Sequence, residues 1–199
     1  MSTKFLVAAF ASLLVGLAGL TVSAQSSPDK NAFPGIKISN FGKLDDRFYR
    51  GSRPGKNDFA ALKSLGIDTI IDLTDNSPEE RGLAEAAGLK YVNIAIPDKS
   101  YPTQAAVDEF LKVSADPTTG KFYVHCAGGR HRTGDMGALY RFANYGWGYD
   151  KVMQEMKNFD FYESGHKDSL KFVVDYAAKY DAARLAAEAT KTTAVGSKL

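Results

Sequence analysis

Cysteine and net charge are scarce in this chain, and each scarcity excludes a class of protein. Among 199 residues there is one cysteine, Cys126, so the chain can form neither an internal disulfide nor a four-cysteine zinc site. The formal net charge is only +2, so no overall field favours nucleic acid or an anionic membrane as a partner. Hydrophobic residues make up 44% and charged residues 24% of the sequence. That composition is typical of one globular domain, and it excludes a mainly disordered chain and a polytopic membrane protein.

Long apolar runs are also scarce, and the one present lies at the N-terminus. Lys4 precedes the apolar residues 5–20, and small residues at 22–24 end the run before Gln25. This pattern predicts a signal peptide over residues 1–24, so we expect export to the periplasm or secretion, without stable membrane association after cleavage. The alternative is an uncleaved N-terminal anchor, because roughly 16 to 18 apolar residues approach the length that spans a bilayer.

The rest of the chain is interpreted as one domain with two short flanks. Residues 25–34 are polar and contain two prolines, so we expect a flexible lead-in over residues 25–40. Residues 41–181 form the domain. Residues 182–199 are rich in alanine, threonine and lysine, and we expect this C-terminal tail to fray.

Strand-like and helix-like segments alternate within the domain. Short apolar, often β-branched runs predict strands at 48–50, 69–73, 91–96 and 121–125. Capped or amphipathic stretches predict helices at 57–65, 77–88, 102–115, 133–143, 150–158 and from 167 onward. Strands separated by helices form mostly parallel sheets. The sequence therefore predicts an α/β fold, a single domain with a mostly parallel central sheet flanked by helices.

The loop after the last predicted strand carries the chemistry. In parallel sheets, ligands bind beyond the carboxyl ends of the strands, and here the sequence is His125-Cys126-Ala127-Gly128-Gly129-Arg130-His131-Arg132-Thr133-Gly134. Two glycines let the backbone curl, so that consecutive amides can surround an anion, and the following helix adds positive potential. We therefore expect the loop to bind substrate through Ala127, Gly128, Gly129, Arg130 and His131.

The same loop supplies a nucleophile and its partners. Arg132 offers a planar, two-pronged donor to phosphate oxygens. The positive field that binds an anion also favours the thiolate of Cys126, which we predict to be the nucleophile. Thr133 is expected to donate its hydroxyl to the departing thiolate in a second step. His125 is expected to support the loop through hydrogen bonds rather than to act as a base, because a thiolate needs none.

These residues resemble the signature of the cysteine-dependent protein tyrosine and dual-specificity phosphatases. The family pattern His-Cys-x-x-Gly-x-x-Arg-Ser/Thr is complete at His125, Cys126, Gly129, Arg132 and Thr133. The resemblance implies a protein-tyrosine-phosphatase-like fold. It also implies hydrolysis of phosphomonoesters through a phosphocysteine intermediate, with no metal or organic cofactor.

Further segments narrow the resemblance to a subgroup. The sequence Phe-Tyr-Arg-Gly-Ser-Arg-Pro at 48–54, with the segments 62–67 and 69–73, is similar to the start of the compact dual-specificity phosphatases. Together with Arg-His-Arg-Thr-Gly in the loop, it is most similar to the atypical plant, fungal and bacterial members. The resemblance covers about Phe48 to Phe159.

The family also implies a proton donor, an aspartate on a movable loop some thirty residues before the cysteine. Asp98 lies 28 residues before Cys126 at the end of a predicted strand. It would protonate the leaving oxygen and then, as a base, activate water. Asp135, just past the loop, is the rival for this role, whereas turn roles are expected for Asp72 and Asp75.

The sequence leaves more than one substrate class open. Arg130 and His131 either enlarge the positive basin for substrates with several phosphates, as in phosphatases acting on inositol phosphates, or Arg130 points to solvent. Arg53 either reaches the cleft or pairs with an acid. We predict an exported phosphatase of the phosphotyrosine or dual-specificity type, acting on phosphorylated protein or small phosphoesters, with no nucleic-acid partner. The alternative is a phytase-like inositol polyphosphate phosphatase. A non-catalytic phosphate-binding module and rhodanese-type sulfur transfer are remote alternatives.

Overall fold

A computed structural model describes residues 33–196 of the protein, without the side chains of residues 189 and 191–196. The predicted signal peptide, residues 1–24, lies outside the described residues. The strands are β1 (Gly42–Lys43), β2 (Phe48–Ser52), β3 (Thr69–Asp72), β4 (Lys90–Asn93) and β5 (Phe122–Cys126). The helices are α1 (Asp58–Ser64), α2 (Pro78–Ala86), α3 (Gln104–Ala115), α4 (His131–Tyr145), α5 (Tyr149–Asn158) and α6 (Lys167–Gly196), with a 3₁₀ turn at Pro117–Thr119.

The five strands form one sheet in the order β1-β2-β5-β3-β4. β1 pairs with β2 in the antiparallel sense, and every other neighbouring pair is parallel. The prediction of a single α/β domain with a mostly parallel sheet is confirmed. β5 lies at the centre of this sheet, so the residue that follows it is surrounded by the ends of its neighbours.

Helices cover both faces of the sheet because successive strand residues point to opposite sides. In the parallel register of β2 and β5, Phe48 lies beside Phe122, and Tyr49 lies beside Tyr123. The two phenylalanines belong to a core formed with α3, α4, α5 and α6. The two tyrosines belong to a second core, formed with α1 and α2.

Residues 33–40, the part of the expected lead-in that the structure describes, pack against the domain. The ring of Phe33 packs edge-on against Phe41 with 5.1 Å between centroids, and Ile38 is buried. These apolar side chains cover the second core beside Tyr49.

The expected C-terminal tail is helical in the structure through residue 196, and its fraying stays a prediction. α6 continues without a break to Gly196, since alanine, leucine, lysine and glutamate are strong helix formers even where no core contact supports them. None of the helices in residues 33–196 is both long enough and apolar enough to cross a membrane.

Candidate active site

The loop predicted to bind substrate lies where β5 ends and α4 begins, at the carboxyl edge of the sheet. Cys126 is the last residue of β5 and is 4% exposed. It lies in a pocket of about 220 Å³ whose other lining residues are Asp98, Lys99, Ala127, Gly128, Arg130, His131, Arg132, Tyr162 and His166. Seven residues predicted from the sequence are thereby brought together. Gly129, His125 and Thr133 are not in the pocket wall.

Arg132 and Asp98 meet across the pocket. The Nη2 atom of Arg132 lies 3.2 Å from Oδ1 of Asp98, and its Nη1 donates to the Ile96 carbonyl at 3.1 Å. The Arg132 side chain is 12% exposed, whereas that of Asp98 is 62% exposed. The arginine is thus anchored inside the pocket, while the aspartate lies at its mouth and is accessible to an entering substrate.

Asp135, the rival proton donor, lies elsewhere. It is 1% exposed on α4, and its carboxylate accepts a hydrogen bond from Ser169 of α6. Burial raises the pKa of Asp135 to about 7, although the Ser169 bond and the charges of Arg50 and Arg132 oppose this. Its side chain does not line the pocket, so the position of Asp98 fits the role better.

His125 is buried behind the cysteine and makes contact with Glu80. Its Nε2 atom lies 2.7 Å from Oε1 of Glu80, whose other oxygen lies 3.2 Å from Nε of Arg53. The sequence suggests only a helix-capping role for Glu80, and its backbone amide does bond to the Ser77 side chain. Its carboxylate instead connects the catalytic loop to Arg53. Both interpretations of Arg53 apply, because it also reaches the cleft.

Asp72, Glu80 and His125 are spaced closely enough to suggest a metal site. However, Glu80 lies off Nε2 of the imidazole, and Asp72 lies 3.7 Å from Nδ1 on the other side of the ring. The Asp72 carboxylate already accepts bonds from Tyr91 at 2.6 Å and from Thr74. The three side chains therefore do not converge on one point, and the turn role expected for Asp72 agrees with these bonds.

His166 and Tyr162 are pocket residues that sequence reasoning missed, because they lie beyond the segment that resembles the phosphatases. The rings of His131 and His166 stack with 3.3 Å between centroids, and His131 Nε2 lies 3.0 Å from the Tyr162 carbonyl. Burial and the neighbouring His166 lower the pKa of His131 to about 4, and burial also lowers that of His166. Both imidazoles are therefore neutral at pH 7 in the unliganded pocket.

A second, wider cavity of about 570 Å³ adjoins the pocket. The two share Asp98, Ala127 and Arg132 as a common wall. Asp75, predicted as a turn residue, also lines this second cavity. A substrate larger than a phosphoryl group can therefore extend from the pocket past Asp98.

Gly129 gives a direct test of the loop conformation. Its φ is +66°, and a Cβ there would lie 2.3 Å from the Gly51 carbonyl carbon. We expect Gly129→Ala to lower the free energy of unfolding by at least about 2 kcal/mol, because both the backbone region and the contact disfavour a side chain. Thermal unfolding measures the loss.

Gly128→Ala is the matched control, because a Cβ at Gly128 would meet no atom within 4 Å and its φ is not in the left-handed region. Its melting temperature should stay close to that of the wild type. Equal melting temperatures for the two variants would contradict this account of the loop.

The site has the architecture of one class of protein: a central strand ends in a cysteine, and a short loop leads to an arginine at the start of a helix. Residues 45–172 match the model of the family described as PTP-SAK, Swiss Army Knife protein, DSP-PTPase phosphatase domain. The chain belongs to this family of phosphatase domains.

Individual relatives agree with this assignment. The chain is 32% identical over 124 residues to inositol diphosphatase DSP3 of Arabidopsis thaliana, a match that covers 59% of this chain and 60% of that protein. The chain thus spans less than two thirds of that relative. Two crystal structures share the fold. TpbA of P. aeruginosa has a TM-score of 0.63 at 23% identity, covering 77% of this chain and 91% of that one. The catalytic core of the PP-IP phosphatase SIW14 of S. cerevisiae has a TM-score of 0.62 at 21% identity, covering 78% and 95%.

Proposed function

We propose that the protein hydrolyses phosphoesters through a phosphocysteine intermediate. The observation that carries this proposal is the pocket in which Cys126, Arg132 and Asp98 meet. In the first step the thiolate attacks phosphorus, Arg132 and the loop amides hold the phosphoryl oxygens, and Asp98 gives its proton to the leaving oxygen. Arg132 must exchange its bond to Asp98 for bonds to phosphate, which frees the aspartate for the leaving group.

The second step releases phosphate and restores the thiolate. Asp98, now a carboxylate, takes a proton from water as the water oxygen attacks phosphorus and the S–P bond breaks. The Thr133 hydroxyl is buried and has no hydrogen-bond partner within residues 33–196. A hydroxyl in that state is available to donate to the departing sulfur.

The charge of the pocket favours a small substrate with several phosphates. Lys99, Arg130 and Arg132 line it, and the His131–His166 pair gains a further charge if an anion promotes protonation. We therefore propose an inositol phosphate or inositol diphosphate as substrate. The names of the plant relative and of SIW14 support this choice.

Phosphotyrosine is the second candidate. The ring of Tyr162 lies at the pocket and is 48% exposed, so it offers an apolar surface to an aromatic leaving group. TpbA has been crystallised with phosphotyrosine in a variant form.

Phosphate release by the chain from Gln25 onward, in reductant, distinguishes the candidates. The substrates are an inositol diphosphate, inositol hexakisphosphate and a phosphotyrosine peptide, with Cys126→Ser as the control. A higher kcat/KM on the inositol compounds supports the first proposal, and a peptide preference favours the second. Release that survives Cys126→Ser would overturn the mechanism for both.

Export is proposed on the sequence of residues 1–24 alone. The basic residue, apolar run and small residues before Gln25 support it. Fractionation of the source cell and N-terminal sequencing of the isolated protein test it. A protein that retains Met1 or stays in the cytoplasm would overturn the proposal.

The role of Asp98 is tested by the chemistry of the leaving group. We expect Asp98→Asn to lower kcat by about 10²-fold on an inositol phosphate, whose alkoxide must be protonated as it leaves. The loss on p-nitrophenyl phosphate should be much smaller, because that leaving group needs no proton. Steady-state kinetics on the two substrates measure the difference.

Asp181→Asn is the matched control, since Asp181 pairs with Arg184 on the exposed part of α6 and lines neither cavity. It should leave both rates nearly unchanged. An equal loss on both substrates in Asp98→Asn would mean that Asp98 only orients Arg132.

A further inference from the structure

Arg50 is a buried arginine beneath the catalytic loop whose charge has no acidic partner at contact distance. It lies in β2 beside Val124 of β5 and is 1% exposed. Its guanidinium stacks on the ring of Phe159, 4.0 Å from the centroid. In the part of the chain that the structure describes, no carboxylate lies within 4.0 Å of it, and its Nε has no hydrogen-bond partner.

Burying an unpaired guanidinium costs stability. Burial lowers the pKa of Arg50 to about 10, so the group is still cationic at pH 7. Arg141 is equally buried, but it forms an ion pair, because its Nη2 lies 2.6 Å from a Glu155 oxygen. Arg50 therefore keeps a net positive charge under the loop at a cost that Arg141 avoids.

Arg50 donates to two carbonyls of the loop, to that of Arg130 at 3.5 Å and more closely to that of Gly129. Its Nη2 donates to the Gly129 oxygen at 2.6 Å. Asn40 donates to the same oxygen at 2.9 Å, and to the Phe159 carbonyl at 2.7 Å. Gly129 itself is not in the pocket wall, although its neighbours Gly128 and Arg130 are. Two donors thus hold the Gly129 carbonyl on the side of the loop away from the pocket.

The orientation of the Gly129 carbonyl also fixes the orientation of the next amide N–H, on the opposite side of the loop. In a trans peptide the C=O of one residue and the N–H of the next point in opposite directions, and the described residues contain no cis peptide. With the Gly129 carbonyl turned toward Arg50, the Arg130 N–H is turned toward the pocket. That amide is one of those expected to bind the phosphoryl oxygens.

We propose that Arg50 is a positioning residue of the phosphatase site, which with Asn40 aims the Arg130 amide at the substrate phosphate and whose buried charge favours the thiolate of Cys126. The inference rests on the proposed phosphocysteine mechanism. It assigns two separable effects to Arg50, one through hydrogen-bond geometry and one through charge.

Three variants of the full mature chain separate the two effects. Asn40→Ala removes one donor and keeps the charge, Arg50→Lys keeps the charge and loses the planar fork, and Arg50→Met removes the charge. The readouts are the inhibition constant of inorganic phosphate and the pH midpoint for alkylation of Cys126 by iodoacetamide. Arg141→Lys is the matched control for loss of a buried arginine.

We expect Asn40→Ala and Arg50→Lys to weaken phosphate inhibition at least about fivefold while the alkylation midpoint stays in place. Arg50→Met should also raise that midpoint by about one pH unit, a tenfold loss of thiolate at acidic pH. Arg141→Lys should lower the melting temperature and change neither readout. If Arg50 had only a structural role, its variants would behave in the same way.

A folded Arg50→Met protein with the wild-type midpoint and wild-type phosphate inhibition would overturn the proposal. If Arg50→Met does not fold, unchanged phosphate inhibition in both Asn40→Ala and Arg50→Lys overturns it equally. A wild-type protein that phosphate does not inhibit, or whose thiol reacts independently of pH, would overturn the proposed mechanism itself. The failure of the mechanism is thus visible before any variant is compared.

Discussion

Replacing Cys126 with serine is expected to abolish phosphate release, with a loss on the order of 10⁴-fold or more in kcat on every substrate. A serine hydroxyl is protonated at neutral pH and attacks phosphorus only with the help of a base. His125 is not placed to help it, because it is fully buried and its Nε2 faces Glu80 at 2.7 Å. Assays of phosphate release in the presence of reductant measure the loss.

The Cys126→Ser protein should still bind phosphate. Arg132 and the loop amides are unchanged, and a hydroxyl is no larger than a thiol, so the inhibition constant or calorimetric affinity for phosphate provides the control. A variant that binds but does not turn over is the expected result. Residual activity within tenfold of the wild type would show that another group is the nucleophile.

Arg132→Lys is expected to lower kcat/KM by roughly 10²- to 10³-fold. A lysine keeps one positive charge but cannot give the two parallel hydrogen bonds of a guanidinium to phosphoryl oxygens. It would also lose the Nη1 bond to the Ile96 carbonyl, which now fixes the direction of the side chain. Steady-state kinetics with an inositol phosphate and with p-nitrophenyl phosphate measure the effect.

The matched control is Arg184→Lys, on the exposed part of α6, where the arginine pairs with Asp181. That variant should have wild-type kinetics and a similar melting temperature. If Arg132→Lys retained more than about a fifth of the wild-type kcat/KM, charge alone would account for the role of Arg132. The two-pronged geometry would then not be needed.

The catalytic loop was predictable because its parts are contiguous in the sequence. Residues 125–134 contain the end of a strand, two glycines and the start of a helix, so local order alone brings Cys126 and Arg132 to one turn. The alternation of strands and helices likewise predicted the parallel sheet. The remaining differences are local: α4 begins at His131 instead of Thr133, and α6 extends to Gly196.

The sequence by itself determined the class of protein and the fold, and it predicted the nucleophile and the phosphate-binding loop. The tertiary structure alone decided which distant side chains support that loop, since Arg50 and Asn40 lie 79 and 89 residues from the Gly129 that they hold. Glu80 reaches His125 and His166 stacks on His131 only because the strand order and helix packing bring these segments together. Buried polar side chains form hydrogen bonds with whichever groups the fold places beside them. Those groups can be distant in the sequence, so spacing along the chain does not predict the pairs.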